Sequence, residues 1–115
     1  MLYLNKAKKM NWNNPQTKSL FEAILQLKSM AEAKRFFRDL LTEEEIVEFG
    51  KRWQAARLLA RKAPYSEIIE KTGLSSTTVA RVSKWLNQGM NGYKLMLKRL
   101  NSHHHAAFPN GKGLR

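Results

Sequence analysis

The chain has 115 residues, 43% of them apolar, with 21 Lys and Arg against 9 Asp and Glu, a formal net charge of +12. One domain is expected at this length, and the apolar fraction is too high for a disordered basic tail. The absence of cysteine excludes disulfide frameworks, thiolate zinc sites and a cysteine nucleophile. No apolar run approaches the ~18–20 residues of a membrane span, and Met1 to Met10 lacks the apolar core of a signal peptide. A cytoplasmic protein with an acidic partner is therefore expected, and so basic a body favours nucleic acid over an unliganded lysine-rich surface.

Strand signals are nearly absent, whereas helix signals recur along the chain. Lys6, Lys8 and Lys9 lie in a basic N-terminal arm, residues 1–13, expected to be flexible. Asn14 before Pro15 is a cap followed by proline at the first helical position. Leu20, Phe21, Ile24, Leu25 and the stem of Lys28 continue that helix at helical spacing. Ser29 with Glu32 forms a capping box ahead of an apolar stripe of Ala33, Phe36, Phe37, Leu40 and Leu41.

Thr42 with Glu45 forms a second capping box, and Glu43 and Glu44 suit the positive end of the helix dipole. The helix they open is expected to reach about Lys62, with Ile46, Phe49, Gly50, Trp53, Ala56, Arg57 and Ala60 as its stripe. Pro64 ends it, because the residue before a proline is pushed out of the helical region. Two short helices follow, roughly 66–72 and 76–87, and Tyr93, Met96, Leu97 and Leu100 outline a last one. That last stripe packs either on its own chain or on a partner's. The composition then changes, so the spacing predicts an all-α domain of about six helices over 14–101 and a disordered tail over 102–115.

Residues 65–87 read as a helix-turn-helix. Gly73 supplies the left-handed residue that leaves the first helix, Leu74 plugs the turn, and Ser75 caps the second helix. Val79, Val82 and Leu86 form its inward stripe, facing Ile68 and Ile69. The outward face carries Ser76, Thr77, Thr78, Ala80, Arg81 and Lys84. Short hydroxyl side chains let a helix end approach base edges closely, and the helix N-terminus attracts phosphate. Double-stranded DNA is the expected partner. Ser75, Ser76, Thr77 and Thr78 stand at the base-reading end, and Tyr65, Ser66, Lys71, Arg81 and Lys84 suit phosphates or flanking bases.

Linked motifs across residues 40–100 resemble the YerC/YecD family of Trp-repressor-like proteins. They are Leu-Leu-Thr-x-x-Glu at 40–45, Lys-Arg-Trp-x-x-Ala-Arg-Leu-Leu at 51–59 and Tyr-Ser-Glu-Ile at 65–68. Thr-Gly-x-Ser-x-x-Thr-Val-x-Arg-Val at 72–82 and Gly-Tyr-Lys-Leu-x-Leu-x-Arg-Leu at 92–100 complete the set. The resemblance implies an interlocked homodimer with outward helix-turn-helix units and a transcriptional role, that of a repressor. Large apolar residues, among them Phe36, Phe37, Phe49, Trp53 and Trp85, independently exceed what so short a monomer readily covers.

Resemblance to the Trp repressor also marks an effector position. Arg52 and Arg81 match two arginines that contact bound tryptophan, whereas Val82 stands for a glycine and Trp85 for a ligand-contacting serine. These two changes cost about 1–3 kcal/mol each, so no L-tryptophan switch is expected. Trp85 is expected to fill the ligand's space from within, so that the reading heads are held constitutively or answer to another ligand. No cofactor or metal is expected: His103, His104 and His105 lack nearby acidic or histidine partners. No phosphate loop or activated nucleophile suggests an enzyme. The alternative from another class is an RNA-binding or ribosome-associated protein using the same basic surface without sequence readout.

Overall fold

The computed structural model describes residues 9–107, with side chains through residue 102. Among the described residues there are six helices and no strand: α1 Pro15–Ile24, α2 Met30–Leu40, α3 Glu43–Ala60, α4 Tyr65–Thr72, α5 Ser76–Gln88 and α6 Gly92–Ala107. They fall into two compact units, one through Leu41 and one from Thr42 onward.

In the first unit Asn14 caps α1 as its sequence predicts, its Oδ1 accepting from the amides of Gln16 and Thr17 at 2.8 and 3.2 Å. The helix stops at Ile24, short of the spacing that continues to Lys28. Its last turn tightens through bonds from Gln26 N to Ala23 O and from Leu27 N to Ile24 O. The Lys28 amide is then taken by Glu32 Oε1 at 2.9 Å, and so belongs to the start of α2. Ser29 Oγ accepts from the Glu32 amide at 3.1 Å, but Glu32 reaches back to Lys28 rather than to Ser29 itself. Phe36 and Phe37 meet edge to face with centroids 5.5 Å apart. Neither α1 nor α2 buries a single residue.

The second unit has the core. Thr42 and Glu45 make both arms of a capping box, at 2.9 and 3.0 Å. Ala55, Ala56, Leu58, Ile68, Leu74, Val79 and Val82 form one buried cluster, flanked by Trp53, Leu59, Ala63, Ile69 and Tyr93. On α3 this differs from the stripe expected from spacing. Ala56 alone of that stripe is buried, and Phe49 is 48% exposed. Leu58 lies nine residues from Phe49, about two and a half turns, and so on the opposite side of the helix. Ala56, seven residues from Phe49 and so nearly in line with it, is buried as well, so the core takes more than one side of α3 at 55–58 and buries nothing of the helix before them.

At its end α3 closes in a Schellman turn rather than running to Lys62. The Lys62 amide donates to Leu59 O at 2.9 Å and the Ala63 amide to Leu58 O at 3.1 Å. Helix α6 also departs from expectation, because its backbone stays helical to Ala107, through the histidine run. A change of composition is not a helix stop. No glycine or proline occurs between Gly92 and Pro109, and alanine is the best helix former. Residues 1–8 of the expected arm and 108–115 of the expected tail lie outside the described residues.

Candidate nucleic-acid interface

The turn between α4 and α5 is built from three short-range devices. Gly73 has φ 78°, the left-handed region that only glycine enters freely, and its amide donates to Ile69 O at 2.8 Å. Thr72 is buried, its Oγ1 donating to Ile68 O at 2.7 Å and accepting from the Leu74 amide at 3.1 Å. Leu74, 5% exposed, is the plug. Both hydroxyl functions of Thr72 are thus satisfied where an unpaired polar group would be costly.

Ser75 caps α5 by accepting from the Thr78 amide at 3.1 Å, and its hydroxyl donates to Thr78 Oγ1 at the same distance. Val79, Val82 and Leu86 are buried against the unit. The opposite face presents Thr77, Arg81 and Lys84 to solvent, at positions i, i+4 and i+7 of one stripe. Ser76 and Ala80 are exposed beside them, while Thr78 is half-buried and tied into the cap. On α4, Tyr65 and Ser66 are exposed at its start. Lys71 is exposed too, with its ammonium 2.9 Å from the Glu67 carboxylate.

Three features of this surface stand outside the expected set. Gln88 continues the exposed stripe one turn beyond Lys84. Lys51, from α3, places its ammonium 3.8 Å from where a Cβ on Gly73 would sit, adding charge beside the turn. Only the fold reveals that proximity. The third was readable: after Glu70 the chain has no acidic side chain, so Arg81, Lys84, Lys94, Lys98 and Arg99 meet no carboxylate side chain from their own stretch.

The four residues of the expected effector position have different surroundings in the protomer. Arg52 pairs with Glu48 at 3.4 Å, its guanidinium 5.9 Å from the Phe49 ring centroid. Arg81 is on the exposed stripe and Val82, 2% exposed, is in the core. Trp85 is 53% exposed and helps line an apolar groove of about 460 Å³ with Trp53, Met90, Tyr93 and Met96. The indole of α5 points to one flank because residue 85 lies a quarter turn or so from the buried stripe.

The profile of the Trp repressor protein family matches residues 15–101, which include all of this site. The chain belongs to the Trp repressor family. It is 41% identical over 81 residues to the YerC protein of Bacillus subtilis, itself uncharacterised, covering 70% of this chain and 78% of that one. A crystal structure of a TrpR-like protein from Eubacterium eligens superposes with a TM-score of 0.76 at 39% identity, covering 78% of this chain and 93% of that chain. A Staphylococcus aureus protein assigned provisionally to the Trp repressors gives a TM-score of 0.76 at 32% identity, covering 81% and 96%. The all-helical Trp-repressor-like fold expected from the linked motifs is the fold of this chain. Among the described residues, no helix is long and apolar enough to cross a membrane.

Proposed function

We propose that this Trp repressor family member is a sequence-specific regulator that binds double-stranded DNA, represses transcription and works without L-tryptophan. The observation that carries the reading is the solvent-facing stripe Thr77, Arg81 and Lys84, opposite buried Val79, Val82 and Leu86, with no acidic side chain in the sequence after Glu70. A helix with a short hydroxylated start and a basic outer face suits a major groove, where base edges carry the sequence code. Thr77, with Ser76 and the cap-bound Thr78, reads bases. Arg81, Lys84, Lys71, Lys51, Tyr65 and Ser66 hold phosphates and set the register.

The working form is a homodimer. Its grounds are a first unit without a buried residue and the exposed Val47 and Phe49 on the first half of α3. No arrangement of nucleophile and base supports an enzyme, and the protein acts in the cytoplasm, where its DNA target is. Selection of bound fragments from sheared genomic DNA tests the reading. A two-fold-symmetric motif with half-sites about one helical turn apart, or a multiple of it, is expected. Equal retention of random DNA and RNA would replace it with an RNA-binding or general polyanion role.

A further inference from the structure

A second concavity of the helix-turn-helix unit lies off the exposed stripe of α5. It encloses about 420 Å³, walled by Leu86 and Leu97, with Lys62, Ser83, Asn87 and Lys94 among its polar lining. Sites for small ligands usually occupy about 300–1,000 Å³. The end of α3, one flank of α5 and the first two turns of α6 meet there. Its charge is one-sided, because two ammonium groups line it and no carboxylate does. Neither lysine has an ion-pair partner among the described residues. Asn87 donates from Nδ2 to Ser83 O at 2.9 Å, which fixes its amide along α5.

Lys62 decides between a chance hollow and a site. It has φ 69° in the Schellman turn that ends α3, a left-handed conformation that strains a side chain and suits glycine. Both hydrogen bonds of that turn come from backbone amides, so the turn itself has no use for lysine. What the lysine adds is an ammonium at the cleft.

We propose that this cleft binds a small amphipathic organic phosphate, its dianionic head between Lys62 and Lys94 and its hydrocarbon part on Leu86 and Leu97. Lysine acts as a point charge toward phosphate, and two of them match a dianion. Because Ser83 and Asn87 belong to α5, occupation of the cleft ties the DNA-facing helix to α3 and α6. The site stands independently of the DNA reading, and its first test contains no DNA.

Phenyl phosphate titrated into the ¹⁵N-labelled full chain is expected to give saturable shifts confined to the amides around Lys62, Ser83, Asn87 and Lys94. Inorganic phosphate, lacking the ring, and benzyl alcohol, lacking the charge, bind at least about tenfold more weakly. Lys62→Gly keeps or raises the thermal midpoint, since glycine suits the left-handed turn, while affinity for phenyl phosphate falls about tenfold or more. Lys94→Met, which keeps an apolar stem, gives the same loss without touching that turn. Shifts spread evenly over Lys71, Lys84 and Lys98, or full affinity in both variants, overturn the site. So does a loss of random-duplex binding in Lys62→Gly equal to that of Lys84→Ala, which would make the cleft a phosphodiester contact.

Discussion

The two units treat their apolar residues in opposite ways. From Thr42 onward a core closes on small and medium side chains, with Ala55, Ala56, Ile68 and Val79 fully buried. Before it, Phe36 and Phe37 stay half-buried, and Phe21 and Leu25 are 46% and 79% exposed. The second unit keeps its own large residues outside as well, Phe49 and Trp85 being about half exposed. The protomer is thus cored by its small residues and carries its large ones on the surface. Monomers rarely leave such surface uncovered, and it is this surface that the proposed homodimer would bury.

Phe37→Asp is the harshest way to break that contrast. If the α2 stripe is buried between copies, a charge there removes a phenyl contact of about 3–5 kcal/mol and strands a carboxylate in the interface. Loss of both the dimer and the cooperative melt is expected, read by sedimentation and circular dichroism at micromolar concentration. A variant that melts and sediments like the parent would show that the first unit needs no partner.

Ile68→Ala probes the other side of the comparison. Its side chain is fully buried between α4 and the rest of the core, so truncation costs about 2–5 kcal/mol, read by urea denaturation. A loss under about 1 kcal/mol would mean that the second unit also depends chiefly on its partner.

Much of this contrast was legible in the sequence, but unevenly. Caps were readable because they are local: Asn14, Thr42 with Glu45, Ser75 and left-handed Gly73 each act within a few residues of themselves. The inward stripe of α5 was readable because spacing settles which residues share a face. On α3 spacing failed, since it marks a face and not how far along the helix, or how far around it, the chain's own core reaches. Phe49 looked central and is exposed; Leu58 went unmarked and is core. Lys62 was hidden for a different reason, because a Schellman turn announces itself by glycine and here has none. Lys51 beside Gly73 and the cleft at Lys62 and Lys94 depend on tertiary packing that no window of sequence contains.

A finer comparison separates readout from attraction on one face. Thr77→Ala is expected to lower affinity for the selected site by about 1–3 kcal/mol while leaving random duplex nearly unchanged. Thr77 is a cleaner choice than Thr78, whose hydroxyl is also bonded to the cap at Ser75. Lys84→Ala weakens both duplexes and reduces the salt slope by about one unit. Paired salt titrations on both DNAs measure this. Equal losses for both variants on both duplexes would reduce the face to an electrostatic pad.

The smallest expected effect is none: L-tryptophan should produce no saturable heat in calorimetry and no change in operator affinity. The family's ligand position asks for a hole where this chain has Val82, a residue packed into the core at 2% exposure. It asks for a hydroxyl where Trp85 brings an indole, half exposed and with the Lys84 ammonium 5.9 Å from its ring centroid. Arg52 already answers Glu48, so a bound carboxylate would have to compete for it. Each zwitterion charge left unpaired on desolvation costs about 1–3 kcal/mol or more, against only the burial of one indole in return. Micromolar binding would overturn the steric argument. Val82→Gly combined with Trp85→Ser sharpens it, because the pair restores both the hole and the hydroxyl. Heat that appears in this double variant alone assigns the lost response to these two side chains, whereas its continued absence moves the cause to the rest of the site.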